Sequence, residues 1–349
     1  MKAEWKTFLE AAGAEFDDTG KVGSYGSLKR ELSVALTGNV FADLSHLALI
    51  AVHGEDAAEF LQGQLSNDIR EVTPEHSQLS SYCNPKGRIL ATFRVFQRDG
   101  IYYLALPMEL AEPILKRLQM FVLRAAVTLE EVTDTFVHIG VSGDDAPREL
   151  ENLLDRLPQA VDEVVSQQLC TVLRIPGIHP RYEIYGPLDE LKRLWDGLNV
   201  RFAPVGEPAW GLLNVAAGLP VIYPQTSEAF VPQMVNLHLV GGVSFKKGCY
   251  PGQEVVARMQ YLGKLKRRMY LAWVDAEQAP QPGDELYTPD NGEQSAGKIV
   301  EARPHPDGGY LLLAVIQISG ADAGQIHLDS PEGPRLEFRD LPYPFSEPC

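Results

Sequence analysis

Between Leu47 and Val132 the spacing of apolar residues switches repeatedly between strand-like and helix-like. The order of those switches restricts the fold more than any other feature. Leu47–Val52 is a short apolar run of strand type. Asp56–Leu65 places Ala57, Phe60, Leu61 and Leu65 along one helical face. Gln78–Cys83 and Arg88–Gln97 read as strands around the turn Asn84-Pro85-Lys86-Gly87, and Arg98-Asp99-Gly100 turns into a strand over Ile101–Leu106. Pro107–Phe121 is helical, with Leu110, Ile114, Leu115 and Leu118 facing inward, and Ala126–Val132 returns as a strand. The sum is β-α-β-β-α-β, the split pattern of ferredoxin-like units, with one long strand bent or doubled.

A second round follows. Thr135–Val141 is a strand and Ala146–Leu157 a helix; Val161–Gln167, Leu169–Ile175 and Arg181–Tyr185 are strand-like; Leu188–Leu198 is a helix and Val200–Val205 closes the set. The architecture repeats but the sequence does not. Before both rounds, the first 40 residues read as an amphipathic helix and a polar connection through Gly20, Gly23 and Gly26. Trp210–Ala217 reads as a short helix, and the remainder of Gly211–Gly263 as irregular segments rich in Gly, Pro, Gln and Asn; long irregular segments are often functional. From Lys264 onward short strands alternate with turns: Arg268–Val274, Glu285–Tyr287, Ala296–Arg303, Gly309–Val315, Gln325–His327 and Arg335–Phe338, separated by Pro282-Gly283-Asp284, Asp290-Asn291-Gly292 and Pro306-Asp307-Gly308-Gly309. Such spacing predicts a small β-barrel. The expected class is α+β, with domains at 1–133, 134–263 and 264–349.

The irregular segment holds the chemically richest run, Lys247-Gly248-Cys249-Tyr250-Pro251-Gly252-Gln253-Glu254. Lys246 and Lys247 precede the thiol, and cationic neighbours favour a reactive thiolate. Pro251-Gly252 suits a type II turn, in which Pro fixes φ and Gly accepts a positive φ. Glu254–Met259 starts a helix or a short strand. The alternative is a buried free cysteine under a turn, the commoner fate of a lone thiol; the flanking charge argues against it.

The chain carries a net charge of −16, which argues against direct nucleic-acid binding. Residues 246–268 are the exception. Lys246, Lys247, Arg258, Lys264, Lys266, Arg267 and Arg268 stand against Glu254 alone, a local +6, leaving about −22 for the rest. Such a strip suits an anionic ligand or partner, or is simply a solvated face. Cys83, Cys170, Cys249 and Cys349 are too scattered for a disulfide framework and fit a reducing cytoplasm. Without a Cys-x-x-Cys or paired-His spacing, no metal site is expected. No apolar stretch has the length of a membrane span, and the opening Met1-Lys2-Ala3-Glu4-Trp5-Lys6 is unlike a signal peptide.

The run Lys247–Glu254, followed by Val255-Val256-Ala257-Arg258, resembles the signature of the YgfZ family, folate-binding proteins related to the glycine-cleavage T-protein, an aminomethyltransferase. Similar segments are Gly54–Ala57, Phe60–Asp68, Tyr82–Arg88, Ala217–Pro220 and Phe230–Leu237, so the resemblance runs from about residue 40 to 340. It implies a three-lobed disc of two ferredoxin-like units and a C-terminal barrel, with a central cavity for a tetrahydrofolate. It also implies a role in maintaining iron–sulfur enzymes such as a tRNA methylthiotransferase, and thereby in tRNA modification. The T-protein carries a carboxylate in a Gly-Gly-x-x-Asp-Asp segment and another in Arg-x-Glu-Ala-Gly. The matching stretches here, Gly87–Thr92 and Asn214–Gly218, have none. The resemblance therefore implies an accessory protein without independent aminomethyltransferase activity; the alternative is an active enzyme of T-protein type, and a third reading is an interaction module built on the basic strip.

Cys249 is the candidate working residue. Candidate folate contacts are Asn67, Asp68, Lys86, Arg88, Gln233, Asn236, Lys247, Tyr250, Gln253, Glu254 and Arg258. Asn67-Asp68 is alternatively a helix-ending turn, and Lys86 and Arg88 are alternatively exposed hairpin charges. Gln233 and Asn236 suit a pterin edge if their loop lines a cavity. Tyr25 and Trp210 stack on a ligand or, the better bet, pack in the core.

Overall fold

Two sets of residues, each discontinuous in sequence, form separate units in the computed structural model: Met1–Ala58 with Arg70–Gln78 and Arg94–Leu213, and Glu59–Ile69 with Leu79–Phe93 and Asn214–Cys349. The structure describes residues 1–167, 169–289 and 294–345, so the turn Asp290-Asn291-Gly292 and Cys349 lie outside the described residues. Both units mix helix and strand, the expected α+β class.

In the first unit, a six-stranded sheet runs in the order Val164–Gln167, Cys170–Ile175, Arg181–Gly186, Val137–Ser142, Val40–Asp43, Ala203–Val205. All pairs are antiparallel except the last, where Val40 faces Ala203 in parallel. The second round of the sequence thus takes a strand from residues that precede the first round. Helices Ala3–Ala11, Ala146–Leu153 and Leu188–Leu198 contribute Trp5, Leu9, Leu150, Leu194, Trp195 and Leu198 to its core, against Phe41, Ile139 and Ile184. A second set of strands pairs Arg94–Arg98 with Ile101–Pro107, then Leu47–His53, then Thr128–Glu131. Helix Met108–Gln119 buries Leu110, Ala111, Ile114 and Leu118, whereas Leu115 is half-buried.

The glycine-rich connection is more ordered than its composition suggests. Glu15–Phe16 pairs with Val22–Ser24, and helix Leu28–Thr37 follows. The buried Glu31 organises this segment: its carboxylate accepts the backbone N–H groups of Tyr25 (2.7 Å), Ser27 (3.3 Å) and Gly206 (2.9 Å). Such charge-assisted bonds tie the segment to residue 206 more firmly than neutral ones would. Trp210 and Tyr25 pack within this unit. The Arg181 guanidinium lies 4.0 Å from a Trp210 ring centroid, and Tyr25 stands 6.1 Å from Trp195.

In the second unit, six antiparallel strands run His327–Leu328, Glu285–Tyr287, Gly297–Pro304, Tyr310–Gln317, Arg267–Val274, Glu337–Arg339. The expected small barrel is a curled half-barrel, open because its outermost strands are only two and three residues long. A register shift between Ile299 and Glu301 bends the long hairpin, as a bulge does. Leu286, Ile299, Leu312, Ala314 and Ile316 fill its concave core. Helix Ile318–Ala323 is an element the periodicity does not reveal. Among the described residues no helix is long and apolar enough to cross a membrane, and no cluster of three His, Cys, Asp or Glu side chains could hold a metal.

A buried carboxylate in the first unit makes its stability pH-dependent. Glu183 lies 3.4 Å from His138, whose ring stacks on Tyr185. Burial would raise the Glu183 carboxyl, but His138, Arg94 and Arg181 outweigh it and hold it at about 2, against an ordinary 4.5. The ionised form is therefore the one the fold favours, and its contribution is complete above about 4.5 and lost as pH falls toward 2. In urea titrations between pH 6 and 3, the wild type should lose about 2 kcal/mol of the roughly 3 kcal/mol that the full acid limb carries. Glu183→Gln should flatten that limb, and an unchanged slope would contradict the assignment.

Candidate functional site

The cysteine run folds as the sequence leads one to expect, and every contact described below lies within the second unit. Gly252 adopts φ 81°, ψ 1°, and the Gln253 N–H donates to the Tyr250 carbonyl at 3.2 Å, the geometry of a type II turn. Helix Gln253–Tyr261 starts directly from it, which settles the choice between helix and strand. Cys249 is exposed on the approach to this turn. The other two described cysteines are buried; burial pushes the Cys83 thiol up to about 12 and that of Cys170 to about 11.

Lys247 does not face the solvent beside the thiol. Its buried ammonium donates to the carbonyls of Gln62 (2.8 Å), Leu65 and Asn67 (3.0 Å) and lies 5.1 Å from the centre of the Tyr250 ring. Helix Ala57–Gln62 ends there, and the last carbonyls of a helix lack internal donors, so the lysine caps it. Three more bonds sew the same loop down. The Asn67 amide donates to Leu79 O (2.9 Å) and Gly241 O (2.7 Å), and the Ser66 hydroxyl to Gly242 O (3.0 Å). Asn67 is thus held within the loop that follows the helix, with Asp68 buried next to it.

The two turns of the signature meet. A Cβ on Gly252 would lie 2.4 Å from Asn84 O and 2.6 Å from Gly87 Cα, and one on Gly87 would lie 3.0 Å from Val255. Both glycines have positive φ, which disfavours an added side chain at either; at Gly252 space excludes it as well, and at Gly87 it would crowd Val255. Asn84 shapes the partner turn: its side-chain oxygen accepts the N–H groups of Lys86 (2.9 Å) and Arg88 (3.1 Å), and its amide donates to Glu228 (3.1 Å). Arg88 is held by Ala229 O at 2.6 Å, whereas Lys86 is exposed.

Beneath the helix lies a cavity of about 590 Å³ lined by Gln233, Asn236, His238, Phe245, Met259, Lys264, Arg268 and Phe345 among others. Gln233 and Asn236 are buried, and their orientation is fixed. The Gln233 amide nitrogen donates to Val256 O (2.7 Å) and that of Asn236 to Met269 O (2.9 Å). A backbone carbonyl can only accept, so each side chain must leave its oxygen as the other end. Both oxygens, and His238 Nδ1, are buried without a protein hydrogen-bond partner. Burial lowers the His238 pKa, which keeps its ring neutral near pH 7. The cavity thus offers fixed acceptors and the cations Lys264 and Arg268, with Arg268 stacked 4.0 Å from Phe345.

The sequence-derived residues separate into groups. Gln233 and Asn236 line the cavity; Cys249, Glu254 and Arg258 are exposed around the turn and helix; Tyr250 is buried and Gln253 half-buried behind them. Asn67 and Lys247 direct their side-chain donors to backbone carbonyls, and one guanidinium nitrogen of Arg88 does the same. His238, Phe245 and Phe345 are cavity residues the sequence does not single out, because none belongs to a periodic segment.

Gly252→Ala should cost about 2–4 kcal/mol of stability, read as a shift of the urea midpoint; a shift under a few tenths of a kcal/mol would show that the turns need not touch. Accessibility gives a second expectation. In a Cys349→Ser background, a thiol reagent should modify one cysteine in the folded protein and all three of Cys83, Cys170 and Cys249 after unfolding. Modification of Cys83 in the native state would contradict the packing described.

Comparison with known proteins places this geometry. A family model described as the GCVT N-terminal domain matches residues 7–247. A tRNA-modifying protein YgfZ of Klebsiella pneumoniae (strain 342) is 32% identical over 302 residues, covering 86% of this chain and 91% of the relative. Its counterpart from Colwellia psychrerythraea (strain 34H) is 30% identical over 303 residues, 86% and 92% of the two chains. Among solved structures, the glycine cleavage system aminomethyltransferase T of Bartonella henselae superposes with a TM-score of 0.76 at 18% identity over 96% of each chain, a likeness of fold. With its signature turn built as described and relatives aligned along nearly their whole length, the chain belongs to the YgfZ family of GCVT-domain proteins.

Proposed function

We propose that this protein is a folate-binding accessory factor that supports the assembly or repair of iron–sulfur enzymes and, through one such as a tRNA methylthiotransferase, tRNA modification in the cytoplasm. One observation carries the reading. The polar and glycine residues of the signature serve structure, through Lys247, Gly252 and Asn84, and what that structure presents is an exposed thiol, Cys249. The relatives named as tRNA-modifying proteins supply the process.

Tetrahydrofolate is the proposed ligand. Its pterin edge carries N–H donors and its glutamyl end carboxylates, which complement the Gln233 and Asn236 oxygens and the cations Lys264 and Arg268. A volume of about 590 Å³ lies within the range of roughly 300–1,000 Å³ usual for small-molecule sites. Tyr250, Gln253, Glu254, Arg258, Lys86, Arg88, Asn67, Asp68 and Lys247 remain proposed as the wider folate-binding surface, chiefly by holding the turns. Two ferredoxin-like units and a C-terminal domain, divided at 133 and 263, are the proposed lobes. Aminomethyl transfer finds no support at the positions that matter to it: Ala91 is fully buried and apolar, and Ala216 carries no acid.

The deciding experiment is complementation. Wild type and Cys249→Ala are expressed in a bacterium lacking its own relative, and methylthiolated tRNA is measured. Rescue by wild type alone is expected; equal rescue would reduce the thiol to packing, and no rescue by either folded protein would sink the pathway. For the ligand, Gln233→Met should weaken tetrahydrofolate binding at least tenfold in calorimetry, and unchanged affinity would place the folate elsewhere.

A further inference from the structure

Helix Gln253–Tyr261 is two-faced in an unusual way. Val256 is fully buried and Met259 lines the cavity, as an inward face requires. The opposite face mixes the charged Glu254 and Arg258 with apolar groups, and at its C-terminal end the exposed groups are apolar. Val255, Arg258 and Leu262 follow one another at helical spacing, and Val255 is 38%, Tyr261 66% and Leu262 84% exposed. Apolar groups this exposed at one helix end mark an interaction site more often than chance. Around them stand Arg258, Lys264 and Lys266, all exposed, and no acidic residue occurs between Glu254 and Asp275. This end of the helix is also close to the thiol loop: the rings of Tyr261 and Phe245 meet edge to face, 6.2 Å apart, and Phe245 begins the strand of chain that leads to Cys249 four residues on.

We infer that the helix end Arg258–Lys266 is a docking surface for a protein partner that presents an apolar notch rimmed by carboxylates, so that the partner's reacting group is brought to Cys249. Three observations select this occupant. The cations have complementary charge only in an acidic partner, and charge of this kind steers association and fixes register. Of the exposed side chains here Leu262 and Val255 are aliphatic and Tyr261 alone is aromatic, whereas single-stranded nucleic acid is held by successive aromatic platforms. The remaining chain, at about −22, repels a polyanion. The inference rests on the reading that Cys249 serves a client protein, and it adds where that client sits.

The test uses the full chain and a purified iron–sulfur tRNA methylthiotransferase, the client proposed above. Affinity is measured at low and physiological salt for wild type, the double variant Y261S/L262S, the variant K266E and C249S. The substituted side chains are solvent-facing and none lines the cavity, and matched thermal melts confirm that each variant is folded. The expected result is a loss of at least tenfold for Y261S/L262S and for K266E, a wild-type affinity that falls with salt, and binding by C249S equal to wild type. Equal binding by all four, or no binding by wild type, overturns the proposal. So does tRNA binding that the K266E change abolishes, which would assign the surface to RNA, or a wild-type dimer in sedimentation that Y261S/L262S dissolves. The two readings fail separately. Y261S/L262S and K266E proteins that complement like wild type, beside a Cys249→Ala that does not, sink the docking surface and leave the function standing; full complementation by Cys249→Ala sinks the function itself.

Discussion

The contact between the backbones of Gly87 and Gly252 is the constraint on which the site depends. Each glycine sits in the left-handed region; the backbone of Asn84 and Gly87 fills the space where a Gly252 side chain would stand, and Val255 with the Gly252 carbonyl crowds that of Gly87. Backbone-to-backbone approach of this kind leaves no slack, because a carbonyl or Cα cannot rotate aside as a long side chain can. The turn after the thiol is therefore positioned by the turn after strand Gln78–Cys83, and helix Gln253–Tyr261 starts where that contact puts it. Lys247 adds a second fixed point. Its ammonium satisfies three carbonyls at once, and a buried cation with fewer acceptors would cost several kcal/mol. With both points held, Cys249 lies on a short tether between two anchors.

Much of the fold was legible because many elements carry their own apolar pattern. Met108–Gln119 and Leu188–Leu198 show a helical stripe, and Glu285–Tyr287 sits between clear turns. The elements that escaped are those whose reason lies elsewhere in the chain. Val40–Asp43 is buried on both faces because Val137–Ser142 and Ala203–Val205 flank it, and a four-residue run shows no periodicity of its own. Leu28–Thr37 is held by Glu31 reaching residue 206, a bond invisible in a local window.

The site divides along the same line. Pro251-Gly252 announces its turn, since the conformation is written in the two residue types themselves. The part played by Lys247 is not announced. Its place in the sequence suggests a cation next to a thiol, but only the folded chain brings three carbonyls within its reach. Asn67 is similar: its amide looks available until Leu79 and Gly241 are seen to take both of its N–H groups, and Ala229 takes one guanidinium nitrogen of Arg88. Gln233 and Asn236 were visible as amides, yet which end of each is free follows from Val256 and Met269.

That last point explains why the cavity is more than a packing defect. A void lined by alkyl groups loses only dispersion contacts. Here the wall includes two carbonyl oxygens locked by their own amide nitrogens, and a buried acceptor left unmet costs on the order of 1–3 kcal/mol. The side chains cannot rotate to relieve this without breaking the bonds to Val256 and Met269. A ligand whose N–H groups meet both oxygens therefore recovers a cost already present in the fold, and recovers it only when its donors match their fixed positions. Selectivity follows from rigidity: an analogue that presents acceptors at the same edge adds repulsion to an unmet cost, and nothing in the wall can turn to accommodate it.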